Sequence, residues 1–362
     1  MQETDLSELV TFSPNKFEPI HNWFYYKEGY SRKLVDKCIG DYSMEGPIYD
    51  PFCGVGTTLL SCRQRGIESI GTDVSPLAAL ASRAKTHNYD LNVLNETMDY
   101  LRSNVPEPKE QVPKHKWLKR LFPFGRLAEI LAHKRQVLSI PDEKARDFFY
   151  LALVDSAGGT MQAEKVGGSL RRKRKYTPPF RKFFFHKVER MLKDLQAHGT
   201  SGPEPSVFQE DARIFSPEKN SVGGIITSPP YLNKIEYTTV YKAELILFFH
   251  AQETRLRAHI GEEGNSSGES SEPLIANAYF EDMEKAIRNM YSCMKRNAHA
   301  VIVVAGGCFP DISIESDERL SKIAEKAGFR PVEMIECRKV KCYRHGGIPS
   351  GSVRESMVVL KK

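Results

Sequence analysis

Residues 46–58 read GPIYDPFCGVGTT. A short apolar run ends at Asp50, and two glycines follow before a pair of threonines. Gly54 and Gly56 permit a tight turn and close backbone approach to a ligand. Thr57 and Thr58 open a segment with helical spacing over 57–65, whose first N–H groups lack intrahelical partners and favour an anion. A second apolar strand, 67–72, ends in Asp73, and 76–86 again has helical spacing. Strand, helix, strand, helix at this pitch predicts an α/β fold, a doubly wound and mostly parallel sheet of Rossmann-like type.

Outward from this unit the pattern changes. From 92 to 205 the chain is polar, contains prolines and reads as mainly helical, with helices expected over 127–138, 142–157 and 183–198. Strand-like segments return with SVFQEDARIF (206–215) and VGGIITS (222–228). A long helix over 277–295 precedes a central strand, HAVIVVAGG (299–307). The end, FRPVEMIECRKVK and SGSVRESMVVLKK, reads as an antiparallel pair. The expected organisation is a first half of one α/β domain (1–91), a helical and basic insert (92–205) and a second half (206–362). The acidic, low-complexity stretch 261–273 is expected to be a mobile loop.

Composition narrows the class. The 362 residues carry a net charge of +6 and seven scattered cysteines without a CxxC pair. That cysteine usage predicts a reducing, cytoplasmic compartment and no metal site. No apolar run is long enough to span a bilayer, and the first thirty residues do not read as a signal peptide.

In open α/β sheets ligands sit at the carboxyl ends of strands. Three such ends stand out. The glycine turn is the first. The second is GTDVSP (71–76), where the Asp73 carboxylate can accept hydrogen bonds from both hydroxyls of a ribose. No GxxxxGK[ST] is present, which argues against a P-loop nucleotidase, and Thr58 replaces the third glycine of the dinucleotide pattern. The third end is TSPPY (227–231). Pro229 and Pro230 fix φ and lack N–H groups, so the turn is stiff and holds the carbonyls of Ser228 and Pro229 outward as acceptors. Ser228 adds a hydroxyl and Tyr231 a flat face. The set suits a planar ring with an exocyclic amine, held by acceptors and stacked on an aromatic side chain.

DPFCGVGTT together with TSPPY resembles the S-adenosylmethionine-dependent, amino-methylating DNA methyltransferases, and most closely their N4-cytosine branch. In that branch the catalytic motif is typically [ST]PPY, whereas the N6-adenine branch typically has [DN]PPY. HNWFYYKEGYSRKLV (21–35) is similar to the family's segment that closes over the methionine end of the cofactor. GTDVSPLA is similar to its ribose-binding strand end, and QEDARIF (209–215) to the segment bordering the adenine. The resemblance covers about 20–90 and 205–360. It implies that Asp50, Pro51, Phe52, Gly54, Gly56, Thr57 and Thr58 surround the methionine moiety, with Tyr30 and Ser31 at its carboxylate. Asp73 and Ser75 would take the ribose end, and Asp211 and Ala212 the adenine. Ser228, Pro229, Pro230 and Tyr231 would hold a flipped cytosine for direct methyl transfer to N4. No Pro-Cys dipeptide occurs, so the nucleophile expected of C5-cytosine enzymes is missing.

The insert gains meaning from this. Between Lys165 and Val188 there are nine Lys or Arg and no acid, interleaved with Tyr176, Phe180, Phe183, Phe184 and Phe185. Arg171, Arg172, Lys173, Arg174, Lys175, Arg181 and Lys182 are the residues expected to meet phosphates, and the aromatics are expected stacking faces. Gly167 and Gly168 suggest a segment that is mobile until nucleic acid binds. Lys341–His345 is placed at the cleft border by the same logic. The implied partner is double-stranded DNA, with a cognate restriction endonuclease if the enzyme serves a restriction–modification system and none if it modifies alone. A prokaryotic, nucleoid-associated monomer suffices for adding one methyl per visit. N6-adenine DNA methylation and guanine-N2 methylation of transfer RNA stay open as alternative activities. So does a non-catalytic nucleic-acid-binding protein that keeps the fold.

Overall fold

The computed structural model describes the chain except residues 1–5, 167–168, 200–201, 233–236, 250–273, 310–311 and 345–347. The acidic stretch 261–273, Gly167, Gly168 and His345 therefore lie outside the described residues.

Seven strands form one sheet: β1 (Ile48–Asp50), β2 (Ser69–Thr72), β3 (Ser206–Phe208), β4 (Val222–Thr227), β5 (Met294–Ala305), β6 (Arg330–Arg344) and β7 (Ile348–Lys361). Their spatial order is β6-β7-β5-β4-β1-β2-β3. Neighbours from β3 through β5 are parallel, and β7 runs antiparallel between β5 and β6. The result is an α/β, Rossmann-like, mostly parallel sheet. The order reverses between β1 and β4, which are hydrogen-bonded neighbours although Thr227 at the end of β4 lies 177 residues after Asp50 at the end of β1. At such a switch point, connections leave the two strands in opposite directions and open a crevice at their carboxyl ends.

The central strands are apolar on both faces because helices cover both. Ile225, Ile302, Val304 and Val358 pack in one cluster with Tyr279, Met283 and Ile287 of the helix Leu274–Cys293. Their chain neighbours Ile226, Val301, Val303 and Val359 pack in a second, with Leu34, Val35 and Cys38 of the helix Arg32–Asp41. Side chains of successive residues leave opposite faces of a strand, so a strand covered twice is apolar along its middle. Gly223 has a steric reason. A Cβ there would lie 2.0 Å from the carbonyl oxygen of Glu45, so only glycine lets the segment before β1 cross β4.

The third cluster is the largest and joins segments far apart in sequence. Helices Arg126–Leu138, Glu143–Gly159 and Phe180–His198 contribute Ile130, Phe148, Phe149 and Phe184. The same cluster holds Trp23 and Phe24 of the N-terminal segment, Leu77 and Leu80 of the helix Pro76–Thr86, and Tyr241. The 92–205 segment thus shares a continuous core with the rest of the chain. The aromatics Phe180, Phe184 and Phe185, read as stacking faces, are buried in that core, and Phe183 packs at Gly159. At helical spacing, aromatic residues cover a core face more readily than a ligand. Tyr176 alone of the set is open, at 86% exposure. Cys308 and Cys342 pair, with Cα atoms 6.0 Å apart. Among the described residues, no helix is long and apolar enough to cross a membrane.

Candidate active site

The first cleft opens at the carboxyl ends of β1, β2 and β4. Gly54 (φ +49°) and Gly56 (φ +77°) make the turn after β1. A Cβ on Gly56 would come within 3.1 Å of Ser82 backbone and side-chain atoms, so this glycine seals the turn against the helix Pro76–Thr86. From that helix the Ser82 hydroxyl donates to the Gly54 carbonyl at 2.8 Å. The turn is therefore fixed from both sides before any ligand arrives.

Asp50 is the hub beneath it. Its Oδ1 accepts from the Thr227 hydroxyl (2.6 Å) and the Phe52 N–H (3.1 Å), and its Oδ2 from the Tyr30 hydroxyl (2.9 Å). The carboxylate thereby ties β1 to β4 and to the N-terminal segment. Burial pushes its pKa up to about 6, against the opposing pull of the Thr227 and Tyr30 hydroxyls and the Phe52 amide. Asp73, at the end of β2, is held by the N–H groups of Gly54 (3.0 Å) and Ser75 (2.8 Å). Burial likewise pushes Asp73 up to about 6, opposed by those two amides. An ionised carboxylate offers about four acceptor positions. The two backbone bonds leave Asp73 room for two more donors on the cleft side.

Of the expected cofactor residues, Tyr30, Asp50, Pro51, Phe52, Gly54, Thr57, Asp73, Ser75, Asp211 and Ala212 line this cleft. Three others have different surroundings. Thr58 is fully buried and bonded to the Tyr30 hydroxyl and the Ile226 carbonyl. Ser31 caps the helix Arg32–Asp41, its Oγ accepting from the Lys33 N–H at 3.2 Å. Gly56 shapes the turn from behind. Asp211 lines the cleft, but Arg213 grips its carboxylate (2.7 Å) and also bridges to Asp282 (2.7 Å). Tyr26, Glu28, Gly29, Val74 and Glu210 also line it; they were not singled out, but each lies in a stretch expected at the cofactor. Val74 and Glu210 adjoin predicted residues, so adjacency could have found them. Glu28 lies two residues before predicted Tyr30, but its hydrogen bond with Tyr241, 213 residues away, had no signal in the sequence.

A second cleft adjoins the first. Ser228 and Tyr231 line it with Lys27, Arg338 and Glu355. The Ser228 hydroxyl donates to the Tyr231 hydroxyl (3.3 Å), which donates to Glu355 Oε1 (2.8 Å). Arg338, opposite Glu355 in the β6–β7 ladder, pairs with its other oxygen. The Tyr231 ring is thus anchored at its far end. Pro229 is buried behind Ser228 and Pro230 borders the first cleft, so the expected Ser-Pro-Pro-Tyr stretch stands between the two.

Sequence comparison adds to this geometry. Over 280 residues the chain is 26% identical to the type II methyltransferase M.AvaI of Nostoc sp., a match covering 68% of this chain and 58% of that protein. Over 93 residues it is 40% identical to the type II methyltransferase M.BsoBI of Geobacillus stearothermophilus, covering 25% of this chain and 18% of that protein. Over these stretches the chain is similar to type II methyltransferases. It matches less than two thirds of the length of either relative. No family model matches it. Among solved structures, a SAM-dependent methyltransferase from Methanosarcina mazei aligns over 90% of this chain and 96% of that one, at 9% identity and a TM-score of 0.35.

The basic run lies away from the buried core. Arg171, Arg172, Lys173, Arg174, Lys175 and Lys182 are exposed. Arg171 and Arg172 sit on a small hairpin, Ala163–Val166 paired with Ser169–Arg172. Other cations of the stretch are engaged within the protein. Lys165 pairs with buried Glu244 (2.7 Å) and lies over the Tyr241 ring, and Lys187 pairs with Asp155 (2.7 Å); exposed Lys173 makes a surface pair with Glu164 (2.6 Å). Arg181 donates to the Arg102 carbonyl and stacks over Phe185. Among the described residues no cluster of three or more metal-ligating side chains occurs.

Proposed function

We propose that the protein is an S-adenosylmethionine-dependent DNA methyltransferase acting on an exocyclic amine, and that the amine is N4 of cytosine. The observation that carries this reading is the position of Ser228, Pro230 and Tyr231 at two adjoining clefts with Pro229 buried beside them, which we read as amine acceptors and a stacking ring. The similarity to type II methyltransferases supports the coarser reading, and serine in the first motif position supports cytosine.

The first cleft fits the cofactor. Asp73 has unused acceptor positions for two ribose hydroxyls, the glycine turn admits a ligand against its backbone, and buried carboxylates at Asp50 and Asp73 favour a cationic molecule. Bound there, S-adenosylmethionine supplies an electrophilic methyl group. The chain's own residues do the rest. The carbonyls of Ser228 and Pro229 hold the amine and draw its lone pair out of the ring, and Tyr231 stacks on the base. The anchored Tyr231 hydroxyl and the stiff prolines fix orientation, which by itself supplies much of the acceleration of a direct transfer. Arg171, Arg172, Arg174 and Lys175 neutralise phosphates of the duplex.

The test is to digest DNA from cells expressing the protein and identify the methylated nucleoside by mass spectrometry. N4-methylcytosine is expected. N6-methyladenine would keep the cofactor and amine reading and reverse the base. Absence of both, with cofactor bound, would turn the search to RNA.

A further inference from the structure

Glu28, Gly29, Tyr30 and Ser228 line both clefts and so form the wall across which a methyl group passes. Their polar atoms are not equally engaged. The Tyr30 hydroxyl faces inward to Asp50 and Thr58, and the Ser228 hydroxyl donates to Tyr231. Glu28 differs. Its Oε2 accepts from the Tyr241 hydroxyl at 3.0 Å, while its Oε1 is buried without a hydrogen-bond partner. A buried carboxylate oxygen with no donor is costly, and such an atom calls for an explanation in use. Two other buried carboxylates at the clefts have partners on both oxygens: Asp50 with Thr227, Phe52 and Tyr30, and Glu355 with Tyr231 and Arg338.

We propose that Glu28 is a catalytic residue: its Oε1 accepts an N–H of the target amine and takes the proton this amine releases once methylated. The inference rests on the amino-methyltransferase reading above. After transfer the nitrogen carries four bonds and a positive charge. The N–H bond breaks with its electron pair returning to nitrogen, an O–H bond forms at Oε1, and the carboxyl group then passes the proton to water. Burial raises the proton affinity of Glu28 above that of an ordinary glutamate, opposed by the Tyr241 hydroxyl, by the backbone N–H of Glu28 itself, and by Lys27 and Lys165. A stronger acceptor is what the step needs. The Tyr241 bond, with the Tyr241 ring stacked on Tyr26 at 5.1 Å, fixes the carboxylate in the wall.

The experiment uses the full chain, unmethylated plasmid DNA, and Glu28→Gln and Glu28→Ala. Single-turnover methyl transfer is measured at saturating cofactor and DNA, and cofactor affinity by calorimetry. Both variants should lose about 100-fold in rate, with cofactor affinity within about twofold of wild type and the apo thermal midpoint of the isosteric Glu28→Gln unchanged or raised. Formate, a small carboxylate, should restore at least about tenfold of the rate to Glu28→Ala and none to Glu28→Gln, whose amide fills the space. Cofactor affinity that falls in step with the rate would place Glu28 in cofactor binding instead. An unchanged rate, or a lost rate that formate does not restore, would also overturn the proposal. If wild-type protein itself methylates no base amine, the underlying reading fails, and Glu28 fails with it.

Discussion

Asp73 gives two acceptor positions to the backbone and keeps two toward the cleft, which is what a ribose with two hydroxyls requires. Replacement by alanine should weaken cofactor affinity by at least about 100-fold, since two hydrogen bonds to a charged group contribute about 1.5–3 kcal/mol each. Calorimetry reads this directly, and unchanged affinity would remove Asp73 from the site. The sign of its pH dependence follows from its shift. Burial lifts the Asp73 pKa to about 6, so the empty site takes up a proton as pH falls through 6 and loses an ionised acceptor. Wild-type affinity should therefore be flat above about pH 7 and fall below 6. At Tyr231 the ring and the hydroxyl have separable roles. Tyr231→Ala should depress methylation by at least about tenfold more than it depresses cofactor affinity, because stacking on a base is worth about 1–3 kcal/mol. Equal loss of both would count against a stacking role.

Among the elements, the hairpin carrying Arg171 and Arg172 and the irregular stretch after it present cations to solvent, while the helix Phe180–His198 turns its phenylalanines inward. The sequence shows cations and aromatics interleaved; the helix separates them onto two faces. Neutralising residues 171–175 to glutamine should flatten the dependence of DNA affinity on salt by about 0.9 for each phosphate no longer neutralised, so up to about 4 in the logarithmic slope. Titrations of duplex DNA from 50 to about 200 mM salt test this, and an unaltered slope would make the run a solvated surface. The N-terminal segment is the second element that matters. Trp23 donates its indole N–H to Asp194 at 2.9 Å, and buried Lys85 donates to the His21 carbonyl at 3.0 Å. The insert and the sheet domain together thus position Tyr26, Glu28 and Tyr30 over the cleft.

At the scale of the whole molecule, the sheet is the rigid frame and the cofactor its stabiliser. Ile302 is completely buried in the central strand β5, and truncation to alanine should cost about 2–5 kcal/mol of stability with little effect on site chemistry. Denaturant unfolding would show a lower midpoint at constant slope. Cofactor at about 100 times its dissociation constant should stabilise the wild type by about 2.7 kcal/mol, visible as a rise in thermal midpoint. Asp73→Ala at the same concentration should show a smaller rise, and an equal one would return Asp73 to a purely structural part.

What the sequence by itself determined is what rests on neighbouring residues. The turn glycines, Asp73 at its strand end, the stiff Ser-Pro-Pro-Tyr turn and the alternation of strand and helix are all local. Each acts through backbone freedom, capping or period, which a few residues express. The helix Phe180–His198 begins three residues before the expected 183, because Phe180 itself packs into the core and extends the buried face, which local spacing does not record. The tertiary structure decided which side chains meet across long separations. It turned Phe180 and Phe184 into core, engaged Lys165 with Glu244, made Ser31 a helix cap, and brought Arg338 and Glu355 to Tyr231. It also placed Glu28 beside Tyr241 with one oxygen unpaired. Those facts depend on burial and on partners tens to hundreds of residues away, and neither period nor spacing records them.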